Sequence, residues 1–131
     1  MNIDENKRLV RQFLRAVERL DGTQMDALTT ADFTWWVIPS TKLSGLYHKA
    51  QFLAVVSQLS AEAPGGSTLT IGEVTAEGDR VSVTAEGCMV LKNGKVYENH
   101  YHYLFTVREA KICAGKEYCD SARVNAFFGA P

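Results

Sequence analysis

The chain of 131 residues is 46% hydrophobic and 22% charged, a composition typical of a folded globular protein and not of a disordered one. Its length predicts one domain, residues 1–131, whose core is large enough to fold without a disulfide or a structural metal. Fourteen basic and fifteen acidic residues give a formal net charge of −1. This balance argues against a protein that binds nucleic acid through its phosphates.

Two features bear on the cellular compartment. The sequence contains no apolar run long enough to span a bilayer, and its first residues are polar, so we expect no membrane partner and no signal peptide. The three cysteines are an odd number without a CxxC pair, which favours buried thiols over a disulfide framework. A cytoplasmic protein is therefore expected.

The first half of the chain predicts three helices and one strand. Between residues 3 and 20 apolar side chains recur every three or four positions, the pattern of an amphipathic helix, and Asn2 with Glu5 fits a capping pair. A short helix is predicted over 23–28 with Thr23 as its cap, and another over 49–61. Residues 33–38, rich in aromatic and β-branched side chains, predict a strand that ends at a proline and is followed by a loop.

The second half switches to strand patterns after a Pro-Gly-Gly segment. Four strands are predicted over 68–76, 80–91, 96–107 and 111–120, joined by short turns that include an Asn-Gly hairpin signal. Helices followed by an antiparallel meander indicate an α+β fold, in which three N-terminal helices pack against a curved antiparallel sheet. A cavity between such layers is a natural small-molecule site.

Three segments resemble the nuclear transport factor 2-like superfamily. They are Trp35–Pro39 followed by Gly45–Lys49, the hairpin Asn93–Tyr101, and Phe105–Ser121. Within the superfamily the sequence is most similar to the SnoaL-like and ketosteroid isomerase-related branch, and the match covers nearly the whole chain in the same order. Ala110 stands where the family has a turn glycine, which predicts either a different turn geometry or backbone strain.

This resemblance implies a cone-shaped sheet that encloses a pocket for a small apolar organic ligand. It also implies a homodimer formed through the outer face of the sheet, near His100, His102, Leu104, Lys116 and Tyr118. Because the superfamily includes isomerases, polyketide cyclases, dehydratases, epoxide hydrolases and proteins without catalysis, it predicts the fold more strongly than the reaction.

Glu117 is the leading chemical candidate. By similarity to the isomerases and epoxide hydrolases it faces inward, and burial in an apolar cone raises the pKa of a carboxyl group into the range useful for proton transfer. The period of a strand places Tyr101 and Asn99 on the inner face as hydrogen-bond donors to an oxyanion. The predicted catalytic set is Glu117, Tyr101 and Asn99, and the predicted ligand-binding set is Trp35, Trp36, Tyr47, Tyr103, Phe105 and Cys119.

Two known chemistries of the superfamily lack their residues. The position of the ketosteroid isomerase base holds Ile38, and that of its tyrosine on the first helix falls near Phe13 or Leu14. The Arg–Asp pair of the limonene epoxide hydrolases falls near Ala85 and Gly87. Two hypotheses therefore remain: an isomerase-, cyclase- or lyase-type enzyme that uses Glu117 as its base on an apolar carbonyl or polyketide-like substrate, or a non-catalytic ligand-binding or dimeric accessory protein.

Other polar residues are weaker candidates. Glu98, His100 and His102 share one strand face, but without a clear further ligand they do not predict a metal site, and no motif predicts a cofactor. His48 is expected near the pocket mouth, either as a helix cap or surface residue or as an acid–base partner. Glu86 is a second-rank acid whose facing depends on whether Gly87 marks a bulge.

Overall fold

A six-stranded curved sheet with helices across its concave face forms the molecule, and the computed structural model describes residues 2–131. The strand order is β2-β1-β6-β5-β4-β3. The helices are α1 (Ile3–Glu18), α2 (Gly22–Ala27), α3 (Lys49–Glu62) and α4 (Ser121–Phe128). The strands are β1 (Thr29–Val37), β2 (Gly45–His48), β3 (Ser67–Glu77), β4 (Arg80–Val90), β5 (Val96–Arg108) and β6 (Lys111–Cys119). The predicted α+β cone is confirmed.

The sheet is mixed, whereas the sequence predicted an antiparallel one. Strand β1 pairs with β6 in parallel, with Trp35 opposite Gly115 and Val37 opposite Glu117. Strand β2 lies in the segment predicted as a loop and pairs antiparallel with β1 at the sheet edge. Strands β3 to β6 form the expected meander. The parallel pairing places the end of β1 beside the end of β6, where the candidate acid lies.

Two helix predictions required correction. The backbone N–H of Glu5 donates to the Asn2 side chain at 2.8 Å, as predicted for α1. Helix α2, however, is capped by Asp21, which accepts from the N–H of Gln24 at 3.1 Å, and not by Thr23. A fourth helix, α4, follows β6 where none was predicted, because its eight residues are too few to show a clear helical period.

The core lies between α1, α3 and the concave face of the sheet. Phe13 of α1 is fully buried at its centre, with ring centroids 6.1 Å from Trp35, 6.4 Å from Phe52 and 5.6 Å from Phe105. Aromatic rings at these separations add to the free energy gained by burying their apolar area. The apolar face of α1 therefore covers the concave face of the sheet.

Of the two alternatives predicted for the turn at Ala110, a different geometry or backbone strain, the structure shows backbone strain. Glu109 and Ala110 have φ angles of 52° and 64°, in the left-handed region that glycine adopts more easily. The open question of a bulge at Gly87 is answered by the pairing: Gly87 pairs regularly with Leu69 and with Asn99, and the irregularity in β3–β4 falls between Ile71 and Val74. Glu86 therefore lies on the outer face, where its side chain is 70% exposed.

Candidate active site

A cavity with two adjoining chambers opens between the helices and the concave face of the sheet. The inner chamber has a volume of about 150 Å³ and ends on Trp35, Val37 and Phe52. The outer chamber has a volume of about 190 Å³ and ends on Tyr97, Tyr101 and Phe128. Both chambers are lined by Val17, Leu20, Leu43, Val55, Leu59, Tyr103 and Glu117. Glu117 and Tyr103 thus lie where the two chambers meet.

Glu117 is the acid of this cavity. It lies near the end of β6 opposite Tyr103 of β5, and its partly accessible side chain lines both chambers. Burial among apolar and aromatic groups raises the pKa of its carboxyl group to about 7, and interaction with the Trp35 indole offsets part of that rise. Both the acid and its conjugate base are therefore populated at neutral pH, as proton transfer requires.

Three tyrosines surround this carboxyl group. Tyr103 is 3% exposed and stacks on Tyr101, with ring centroids 5.3 Å apart and planes 9° apart. Burial raises the pKa of both phenols, and the nearby Glu117 raises them further. Tyr47 donates its hydroxyl to the backbone carbonyl of Leu43 at 2.7 Å and lines the inner chamber. The phenols therefore stay protonated near neutral pH and can donate hydrogen bonds.

Asn99 is buried in a separate hydrogen-bond network. Its side-chain nitrogen donates to the hydroxyl oxygen of Tyr97 at 2.7 Å and to the carbonyl of Asp120 at 3.2 Å. Its side-chain oxygen accepts from the N–H groups of His100 and Asp120 at 2.7 and 3.1 Å. These four bonds tie β5 to the start of α4 and leave the amide without spare hydrogen-bonding capacity of the kind a substrate needs.

Comparison with protein families matches residues 10–115 to the SnoaL-like domain. The chain belongs to that family. No curated protein matches the sequence significantly. The SnoaL-like match confirms the branch of the superfamily suggested by the three sequence segments.

Solved structures similar to this SnoaL-like protein share its fold at low identity. A nuclear transport factor 2-like protein from Burkholderia xenovorans LB400 is 24% identical, with a TM-score of 0.76 and coverage of 96% of this chain and 97% of the other. AclR from Streptomyces galilaeus is 14% identical, with a TM-score of 0.80 and coverage of 99% and 89%. An epoxide hydrolase from M. tuberculosis is 17% identical, with a TM-score of 0.77 and coverage of 97% and 90%. At these identities the likeness shows the fold alone.

The structure brings five of the predicted site residues to the cavity of this SnoaL-like protein. Trp35, Tyr47, Tyr103 and Glu117 line the inner chamber, and Tyr101 adds to the outer one. Trp35 can lie flat on the sheet because the residue beside it is Gly115, where an added Cβ would come within 2.5 Å of the indole ring. Glycine at this position therefore sets the position of the aromatic wall next to Glu117.

Four other predicted residues lie elsewhere. Trp36 points to the outer face, where its ring lies 5.1 Å from that of Tyr118, because adjacent residues of a strand face opposite sides. Phe105 is fully buried in the core and Asn99 is held in its own network. Cys119 packs beside the second core cluster, where burial raises the pKa of its thiol to about 12. Among the described residues, none of these four lines either chamber.

The remaining polar candidates are exposed. His48 ends β2 and is the N-cap residue of α3, and its backbone N–H donates to the side chain of Gln51 at 2.9 Å. His100 lies 3.5 Å from Glu86, and His102 is hydrogen-bonded to Ser82, both on the outer face. Within residues 2–131, no group of three or more His, Cys, Asp or Glu side chains is arranged to hold a metal ion. No helix of this described part is both long and apolar enough to cross a membrane.

Sequence reasoning missed much of the cavity roof. Val17 comes from the end of α1, Leu20 from the turn after it, Val55 and Leu59 from α3, and Leu43 from the loop before β2. The helical period marked all but Leu43 and Val55 as apolar-face residues, but it does not distinguish a side chain that fills the core from one that borders a cavity. Phe128 was missed together with α4.

Proposed function

We propose that this SnoaL-like protein is a cofactor-independent isomerase-, cyclase- or lyase-type enzyme that uses Glu117 for general acid–base catalysis. The substrate we propose is a small apolar carbonyl or polyketide-like compound bound in the two-chambered cavity. The observation that carries this proposal is the placement of Glu117 at the junction of the chambers, with a pKa near 7. A carboxyl group of this kind is suited to take and return a proton at neutral pH.

The chemistry follows from the groups at the junction. The ionised Glu117 carboxylate takes a proton from a carbon next to the substrate carbonyl, and the electron pair of that C–H bond moves onto the carbonyl oxygen as an enolate. A hydrogen bond from the Tyr103 or Tyr101 hydroxyl stabilises the new charge in this poorly solvated site. If the enolate is conjugated with a carbon–carbon double bond, Glu117 returns the proton to the far carbon of the dienolate, which shifts the double bond and re-forms the carbonyl. If the enolate carbon instead attacks a second carbonyl, a ring closes, and the Glu117 carboxyl group protonates the alkoxide that forms.

Proton exchange tests this step without knowledge of the natural substrate. We expect the wild-type protein to catalyse deuterium incorporation next to the carbonyl of 2-tetralone in D₂O, followed by NMR. Glu117→Gln should lower the catalysed rate about 10²- to 10⁴-fold because it removes the base while keeping the shape of the side chain. Glu73→Gln, which removes an exposed carboxyl group on β3, is the matched control and should keep the wild-type rate.

The pH profile adds a second readout. The wild-type rate should rise with pH and level off above a midpoint near 7, where the carboxylate becomes ionised. Equal exchange by the wild type and Glu117→Gln would contradict the assignment of the base. Binding of the ketone without exchange by either protein would favour the alternative, a non-catalytic ligand-binding or accessory protein.

We also propose that the chain forms a homodimer through the outer sheet face. Tyr118 is 40% exposed and packs against Trp36, and Lys116 lies over the same indole ring at 5.8 Å. Exposed aromatic residues grouped on a sheet are typical of interface centres. Light scattering during size-exclusion chromatography should give twice the chain mass for the wild type. Tyr118→Glu should lower the measured mass toward that of a monomer. A monomer at high concentration would refute the dimer.

A further inference from the structure

The cavity contains an unusual balance of charge. Its walls carry one carboxyl group, Glu117, whereas among residues 2–131 no Lys, Arg or His side chain lines either chamber. A carboxylate in a poorly solvated site without a cationic partner is costly to ionise. A cation bound beside Glu117 would offset this cost, and the residues that line the two chambers supply none.

The walls near Glu117 are suited to a cation. Trp35 and Tyr103 have ring centroids 5.8 Å apart, and Tyr101 stacks on the far side of Tyr103. Tyr47 adds a fourth ring to the inner chamber. The electron-rich faces of Trp and Tyr attract ammonium groups, and this attraction grows when the cation is desolvated.

We propose that the cavity binds small organic monocations, specifically protonated tertiary amines that carry one ring, with the Glu117 carboxylate as their counterion. The ring would occupy the inner chamber, because a dry apolar cavity of about 150 Å³ has room for a benzene-sized group. The ammonium group would lie at the junction, beside Glu117 and Tyr103. This binding activity goes beyond the proposed proton transfer and does not depend on it.

Three ligands of matched size distinguish the effect of ligand charge on affinity from the effect of ligand shape. N,N-dimethylbenzylamine is cationic, 2-phenylacetamide is neutral and phenylacetate is anionic, and all three have the same number of non-hydrogen atoms. Calorimetric titration at pH 8 should give the tightest binding for the amine and the weakest for phenylacetate. Glu117→Gln should weaken amine binding at least about tenfold, the equivalent of one lost charge pair, and should change acetamide binding less than about threefold.

The pH dependence provides an independent check. The titratable groups that face Glu117 are Tyr47 of β2, Tyr97, Tyr101 and Tyr103 of β5, and Cys119 of β6, and burial raises the pKa of each from an ordinary value that already lies above neutrality. The Cys88 thiol of β4 also lines the outer chamber. The residues of α1 and α3 that line the cavity are apolar. Between pH 6 and 8 Glu117 is therefore the group that titrates, and amine affinity should rise about tenfold over this range.

The outcomes are distinct. Amine binding that is equally strong in the wild type and Glu117→Gln, or that does not change between pH 6 and 8, would overturn the proposal. Absence of amine binding to wild-type protein, with acetamide binding intact, would overturn it as well. Glu73→Gln should behave as the wild type in every titration. Failure of ketone exchange would leave these binding results unaffected, so the two proposals fail separately.

Discussion

Ionisation of Glu117 should make folding stability depend on pH in a direction opposite to that of most acidic residues. Its pKa rises from 4.5 in the unfolded chain to about 7 in the folded one. Between these values the folded chain holds a proton that the unfolded chain has released, so stability falls as pH rises. Below pH 4.5 the group is protonated in both states and costs nothing, and above pH 7 the folded state bears the full cost of the buried charge.

The magnitude follows from the pKa difference. Each unit of pKa difference corresponds to 1.36 kcal/mol, so the complete loss of unfolding free energy is about 3 kcal/mol. Of this loss, about 2.5 kcal/mol falls between pH 5 and 8. Glu117→Gln removes this titration. Relative to the wild type, the variant should therefore gain about 2.5 kcal/mol of unfolding free energy on going from pH 5 to pH 8, whatever its own stability at pH 5.

Urea denaturation of both proteins at pH 5 and pH 8 measures this difference directly. Comparing the two proteins at each pH cancels the titration of all other groups and any cost of accommodating the amide. Glu73→Gln, which removes an exposed carboxyl group and keeps Glu117, should lose as much stability as the wild type on going from pH 5 to pH 8. A wild-type-minus-Glu117→Gln difference that is the same at pH 5 and pH 8 would show that Glu117 is not in a desolvated cavity, and the proposed chemistry would lose its basis.

Three further predictions concern the structure around the site. Gly115→Ala should lower the unfolding free energy by about 1–3 kcal/mol and shift the tryptophan fluorescence, because the new methyl group meets the Trp35 ring. The control Gly65→Ala, with no atom within 4 Å of the added Cβ, should change the unfolding free energy by less than about 0.5 kcal/mol. Asn99→Ala should lower the unfolding free energy measured in urea by about 2 kcal/mol, because it leaves Tyr97 and Asp120 unpaired. The rate of ketone exchange per folded molecule should stay within a few-fold of the wild-type rate. A decrease in that rate as large as the one caused by Glu117→Gln would show that Asn99 is a catalytic residue. Ala110→Gly should stabilise the protein by about 1 kcal/mol because it relieves the positive φ, and a destabilised variant would argue against strain in this turn.

The period of two along a strand predicted much of the site correctly. It places Tyr101 and Asn99 on the inner face of β5, and the resemblance places Glu117 on the inner face of β6. In the structure Asn99 is buried, and Tyr101 and Glu117 line the outer chamber. The same period places Trp35 and Trp36 on opposite faces of β1 but does not show which of them faces the cavity, so both are in the predicted ligand-binding set although Trp36 faces outward. Near the start of β6, a shift of register between Thr106 and Val107 leaves Cys113 without a regular partner, and such bulges have no reliable sequence signal here.

The cavity itself depends on tertiary packing that local patterns do not encode. Its roof combines the end of α1, the face of α3 and the Leu43 loop, which are distant in sequence. Helix α4 closes one end, where Phe127 and Phe128 pack against Tyr97 at ring-centroid distances of 5.1 and 5.2 Å. The short length of α4 hid it from sequence analysis, and with it the wall of the outer chamber.

Two glycines on the inner face explain why this cone holds rings and a cavity together. An added Cβ at Gly87 would come within 2.9 Å of the Tyr101 ring, and one at Gly115 within 2.5 Å of Trp35. Because these positions lack side chains, the rings of Tyr101 and Trp35 lie against the sheet, leaving the space above them open beside Glu117. Larger residues there would push the rings toward α1 and α3 and fill the junction of the chambers. The open space and the ionised carboxylate both lower stability, so the aromatic core around Phe13 must supply the packing energy that keeps the cavity open.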